Sequence, residues 1–185
     1  MEFSKFISKI RNDKNNLART WSELVSESEY MQSYQKLDKE IILERGEAVF
    51  THLANWLETG ASNDVAEKYF ELVGQDRFKE GYPLTEVVYA LHLVKKVFWS
   101  SVAWDKDLKH TTSGDRCENC VEFWTILNNY FDLGNFYITR GYFHSIFENI
   151  EGVQNPSIDE FKNYLKHGPI DSDDLDKEKF IWRHI

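Results

Sequence analysis

The sequence predicts an all-α protein, a bundle of about five core helices with short additional helices at its two ends. Three observations lead there. Apolar residues recur at spacings of three and four along most of the chain, and only 3 Pro and 9 Gly interrupt the 185 residues. No period-2 alternation runs long enough to require a sheet. With 13 Phe, 9 Tyr and 6 Trp, the interior is expected to be rich in aromatic rings.

Phe3, Phe6, Ile7 and Ile10 predict a first short helix that stops at the polar turn "RNDKNN", and Leu17, Trp21, Leu24 and Val25 predict a second. From about Ser28 to Glu58, the stripe Tyr30, Tyr34, Leu37, Ile41, Ala48, Val49, Leu53, Trp56 and Leu57 predicts one long helix. Gly46, about 1 kcal/mol worse than Ala in a helix interior, is expected to mark a bend in it. "TGASND" closes that helix and opens the next, which carries Val65, Tyr69, Leu72 and Val73 to about Glu80.

Gly81 suits a left-handed C-terminal cap, and Pro83 suits the first position of a new helix, where its missing N–H costs nothing. Leu84, Val87, Val88, Leu91, Val94, Phe98 and Val102 then line one face as far as Trp104, and a polar stretch follows at 105–117. The last long helix, from Glu118 to Asn149, aligns Trp124, Leu127, Phe131, Ile138 and Ser145. Gly134 and Gly141 lie on that same stripe, where a second helix or a flat ligand can come close. Residues 1–150 therefore form the bundle, and 151–185 form an extension. In the extension, Ser157 and Glu160 make a capping box and Gly168 a stop. Phe180, Ile181, Trp182 and Ile185 give the acidic tail an apolar end that either docks back on the bundle or meets a partner.

Charge narrows the function classes. A net charge of −9 opposes binding to a phosphate backbone, so nucleic acid is not an expected partner. The N-terminus lacks the apolar core of a signal peptide, and Lys95 and Lys96 interrupt the best candidate membrane span, so a cytoplasmic location is expected. Cys117 and Cys120 make no disulfide framework. As "CENC", with His110 upstream, they offer an incomplete metal set or simply two thiols near a helix start. The acidic "DSDDLDKE" lacks the central glycine of a calcium loop and has Leu175 where an oxygen ligand is needed. No phosphate-binding glycine loop, zinc-protease helix or serine-hydrolase elbow occurs, and no catalytic residues are assigned. A non-enzymatic protein is expected.

His92 and His144 border the apolar stripes of the last two long helices, where a haem ligand can sit. If those helices are antiparallel neighbours, a rise of about 1.5 Å per residue puts the two histidines about 20 Å apart, too far to share one haem. A single-histidine haem or tetrapyrrole site, in a globin-like bundle, stays open as an alternative. The same arithmetic brings Arg140 level with "GYPLTE" and predicts an Arg140–Glu86 interaction, with Gly81 and Pro83 forming the corner. A ligand space is expected between the His92 helix and the glycine-bearing face of the last helix, lined by His92, Trp99, Tyr137, Gly141 and His144. Boundary packing of Tyr89 with His92 and of Tyr137 with His144 is the other reading.

Two segments, "KEGYPLTEVVYALHLVKKVFW" and "YFDLGNFYITRGYFHSIFE", resemble the N-terminal domain of RsbRD-type co-antagonist proteins, a helical sensor module. The family tends to show a G-Y/F-P-L-x-E helix start and an R-G-Y near the end of a long helix, and the resemblance covers roughly residues 15–150. It implies a sensory or regulatory input domain that binds a small ligand or a partner protein and answers by repacking its helices. It supplies no catalytic residues. Such domains precede an output part, and residues 150–185 are too few for one, so the output is expected on another chain or is missing. A pure protein-interaction module, with 170–185 as a clamp, is a further alternative, and a homodimer is among the assemblies allowed.

Overall fold

A computed structural model describes residues 4–104 and 117–151, and every regular element among them is helical. The elements are α1 (Ser4–Glu27), α2 (Gln32–Gln35), α3 (Lys39–Glu58), α4 (Asn63–Lys79), α5 (Leu84–Trp104) and α6 (Cys117–Glu151). The chain is an all-α helical bundle. The extension predicted at 151–185, with its capping box and apolar end, lies outside the described residues apart from Glu151, which ends α6.

Two expectations for the N-terminal half need correction. α1 runs straight through "RNDKNN" as one helix. Ile10 and Leu17 are two turns apart, so both stay on the buried face, while the polar residues between them point outward. Lys9 pairs with Asp13, Arg11 with Glu58 and Lys14 with Glu47, which suits a solvated face rather than a break. Residues 28–58 are not one helix: a turn and the short α2 precede α3, whose N-terminal boundary is Asp38. α3 continues through Gly46. That glycine lets α1 in, because a methyl there would lie 2.9 Å from Trp21 Cε3 and 3.2 Å from Ala18 Cα.

The α4–α5 corner matches the sequence closely. Gly81 is left-handed, with φ of 84°. The Gly81 N–H donates to the Phe78 carbonyl and the Tyr82 N–H to the Arg77 carbonyl, the paired bonds that close a helix on glycine. Pro83 sits one residue before the position predicted for it. Its carbonyl accepts from the Glu86 and Val87 amides, so it is the residue that α5 starts from.

Contacts sort the helices into two pairs around a central one. α1 packs along α3 and α4 along α6, while α5 touches α1, α4 and α6. α1 and α3 are antiparallel, with Arg11 near Glu58 and Ala18 near Gly46. α4 and α6 run in the same direction: Phe70 faces Gly134, Gly74 faces Ile138, and Phe78 meets Tyr142. α5 carries the chain back against both. It is accordingly buried on more than one side, through Val87, Ala90, Leu93, Val94, Val97 and Phe98. The Trp21 indole N–H donates to the Ala90 carbonyl at 3.0 Å and ties α1 to this central helix.

Candidate functional site

The predicted ligand residues do not converge. His92 is exposed on α5 and stacks on Tyr89, and Trp99 stacks on Trp124 with ring centres 3.7 Å apart. Tyr137, Gly141 and His144 instead belong to the contact with α4. A methyl on Gly141 would lie 2.1 Å from the Glu71 carbonyl oxygen, and one on Gly74 equally close to that of Ile138. The glycines thus serve a backbone-to-backbone crossing of α4 and α6, and no flat ligand fits between. His144 Nδ1 lies 2.8 Å from Glu71 Oε1. The Cys117 and Cys120 side chains, and all of His110, lie outside the described residues. Among the described residues no group of three His, Cys, Asp or Glu is placed to hold a metal.

The Arg140–Glu86 pair is also corrected. Arg140 Nη2 reaches Glu67 Oε1 and Glu71 Oε2, each at 2.5 Å, with its guanidinium 4.7 Å from the centre of the Tyr137 ring. Its hydrogen bonds to Glu71 hold that carboxyl below the usual carboxylate range. The prediction assumed that the last helix turns its charged face toward α5, whereas it turns it toward α4. Glu86 is buried and accepts from the Ser33 N–H and Oγ–H at 3.0 Å. Burial raises its pKa and the Ser33 bonds oppose the rise. The levels of the two segments do correspond, through another pair: the Tyr142 hydroxyl donates to the Tyr82 carbonyl at 2.7 Å.

A different site lies between α3 and α4. Their backbones stay apart for most of their length and they meet through long side chains, with His52 stacked flat on Tyr69 at 3.7 Å. On α3, Ile41, Arg45 and Ala48 share a face; on α4, Tyr69, Val73 and Arg77 do. The cleft between these faces holds about 370 Å³. Val87, Leu91 and Val94 of α5 line it from below.

The cleft has a cationic end. Arg45 Nη2 and Arg77 Nη1 both reach Glu80 Oε2, at 3.0 and 2.8 Å. Both arginine side chains are only 16% exposed, whereas Glu80 is 40% exposed, so two cations share one outlying carboxylate. The Arg45 guanidinium lies 5.7 Å from the centre of the Tyr34 ring and 5.1 Å from that of Tyr82. Burial pushes the Tyr34 phenol up, with Arg77 and Arg45 pulling it back.

Tyr69 connects the cleft to an aromatic cluster of His52, Trp56, Phe70 and Tyr130. His52 Nδ1 lies 2.8 Å from the Tyr130 hydroxyl. Burial lowers the His52 pKa to about 4, and the Val65 carbonyl pulls the other way without a hydrogen bond of ordinary geometry. Burial also pushes Tyr69 up to about 12 and Tyr130 well above its ordinary value. At neutral pH the imidazole is therefore uncharged and the phenol protonated. Tyr130 then donates to Nδ1, and the ring proton sits on Nε2.

Arg45, Arg77, Tyr34, His52 and Tyr130 went unassigned in the sequence. The available signal was phase: Arg45 lies one turn after Ile41 and one before Ala48 and Val49, and Arg77 one turn after Val73. A cation in step with an apolar stripe either folds back to solvent or faces a partner inside.

Among the described residues no helix is long and apolar enough to cross a membrane. Comparison of the chain with known protein families, characterised proteins and solved structures finds no match. The likeness to RsbRD-type sensor domains therefore rests on the two segments that carry "GYPLTE" and "TRGY".

Proposed function

We propose that this chain is a non-enzymatic sensory or regulatory helical domain that takes a small ligand into the α3–α4 cleft and signals by repacking those helices. The observation that carries the proposal is the cleft itself. Its volume of about 370 Å³ falls within the range of about 300–1,000 Å³ common for small-molecule sites, and its walls are apolar with a few converging polar groups. The sensory part is supported by the resemblance of "GYPLTE" and "TRGY" to RsbRD-type input domains. The helix pairing suits the role: α4 is locked to α6 on one side, whereas it meets α3 through side chains, so the α3–α4 spacing is the one that occupancy can change. A preference of about 1–3 kcal/mol for one packing over the other is enough to transmit occupancy.

Ala48 lines the cleft and is exposed, so Ala48→Trp fills the space without entering the core. The fluorescent probe 8-anilinonaphthalene-1-sulfonate should bind the wild-type chain, and binding should weaken strongly in this variant. An unchanged titration would refute the cleft as the binding site.

A second reading, an interaction module for a regulatory partner on another chain or a second copy of this one, is supported by Phe136 and Phe147. They share a face of α6 three turns apart and are 58% and 52% exposed. Sedimentation of the wild type and of Phe136→Ser/Phe147→Ser tests the self-association arm. That arm requires a dimer that the double variant dissociates.

A further inference from the structure

We infer that the cleft is selective for monoanionic acids with a compact apolar body, the ligand carboxylate being held by Arg45 with Arg77 beside it. The inference rests on the reading of the cleft as a ligand site and names the chemistry of its occupant.

Arg45 carries the argument. One face of its guanidinium environment is aromatic, from Tyr34 and Tyr82, and Nη2 is engaged by Glu80. Nη1 is fully buried and has no hydrogen-bond partner among the described residues. Buried polar atoms in folded proteins are nearly always paired, and a charged donor left unpaired is among the most costly. This donor belongs to a residue that lines the cleft, and because Nη1 is closed off even from water, an acceptor brought by a ligand satisfies it once the guanidinium turns toward the cleft. Arg45 is planar and held by two rings, which pre-arranges it for a carboxylate.

Charge sets the valence of the ligand. The cationic end holds two guanidinium groups and the Glu80 carboxylate, an excess of one positive charge. Glu44, the other acidic group lining the cleft, is exposed as Glu80 is, so solvent weakens both carboxylates while the two guanidinium groups stay largely buried. A monoanion balances that excess. A polyphosphate would overshoot it. The remainder of the wall sets the body: Val49, Phe70, Val73, Leu91 and Val94 offer carbon surface, and the volume limits the occupant to a small molecule.

The test compares two molecules of the same shape, 3-phenylpropanoate and 3-phenylpropan-1-ol, by calorimetric titration of the full chain at pH 7. The wild type should bind the acid about tenfold or more tightly than the alcohol, as a charge-assisted bond implies. Arg45→Gln should weaken the acid alone and bring the two to parity. Glu80→Gln, at an outlying position that keeps the fold if Arg45→Gln does not, should tighten the acid by removing its competitor. An alcohol bound as well as the acid in the wild type, or an acid preference that survives Arg45→Gln, would overturn the inference and leave the cleft as a site of another selectivity. Binding of the fluorescent probe without binding of either phenylpropyl compound would also overturn it. Failure of all three ligands to bind would remove the cleft reading itself.

Discussion

The two sides of α4 are built by opposite rules. Toward α6, Gly74 and Gly141 bring backbone against backbone, so that one added methyl on either would fall about 2.1 Å from a carbonyl oxygen. Toward α3, arginine and tyrosine side chains hold the helices apart around about 370 Å³ of space. The same helix is thus a fixed joint on one side and an open wall on the other. Side-chain size at the contact, more than hydrophobicity, decides which, because both sides include buried apolar groups.

The contrast is broken most severely at the joint. Gly141→Ala must push α6 off α4 and should cost about 3 kcal/mol, at the upper end of overpacking effects, read as a loss in urea midpoint at unchanged slope. Next comes the aromatic end of the cleft. His52 titrates near 6.5 when unfolded and about 4 when folded, so the unfolded chain binds more protons between those values. Stability is then full above pH 6.5 and falls as pH drops toward 4. The loss should be about 2 kcal/mol once partial solvent screening is allowed for. In His52→Phe this acid limb should be absent, whatever the variant's stability at pH 7.

Arg140→Ala should have a smaller effect, about 1–2 kcal/mol, since Arg140 and its partners Glu67 and Glu71 are only partly buried. Glu71 is held below its ordinary value of 4.5, so its share of stability is present above that pH and lost below it. The variant should therefore flatten the stability profile below pH 4.5 and leave the His52 limb untouched. Ala48→Trp should do least, within about 0.5 kcal/mol, despite adding far more volume than a methyl. A large cost there, matched by a small one at Gly141, would reverse the assignment of joint and wall.

Periodicity made α4, α5 and α6 legible nearly to the residue, since each carries its apolar stripe without a competing signal. α1 is hidden in the sequence because "RNDKNN" has the composition of a turn, and only the seven-residue step from Ile10 to Leu17 shows that the stripe resumes in phase. The segment before α3 misleads in the opposite sense: Tyr30, Tyr34 and Leu37 keep helical spacing, yet Tyr34 and Met31 are buried by a turn and four residues of helix. Gly134 and Gly141 announced a close approach but not its partner. α5 and α6 do touch, as chain neighbours should, but α6 packs mainly along α4, and α5 runs back against both. The cleft was invisible for the same reason, since its two walls come from stripes that each read simply as core.

Glu86 has one more consequence. α2 has no side-chain cap of its own, and the carboxylate that accepts from its Ser33 amide comes from the first turn of α5. α2 carries Tyr34, whose ring lies 4.8 Å from that of Tyr82 and flanks Arg45. Glu86 is therefore the tether by which the central helix holds the aromatic backing of the cationic end. The Ser33 amide becomes a single-site reporter: its exchange with solvent deuterium records, in time rather than in energy, how often that tether lets go.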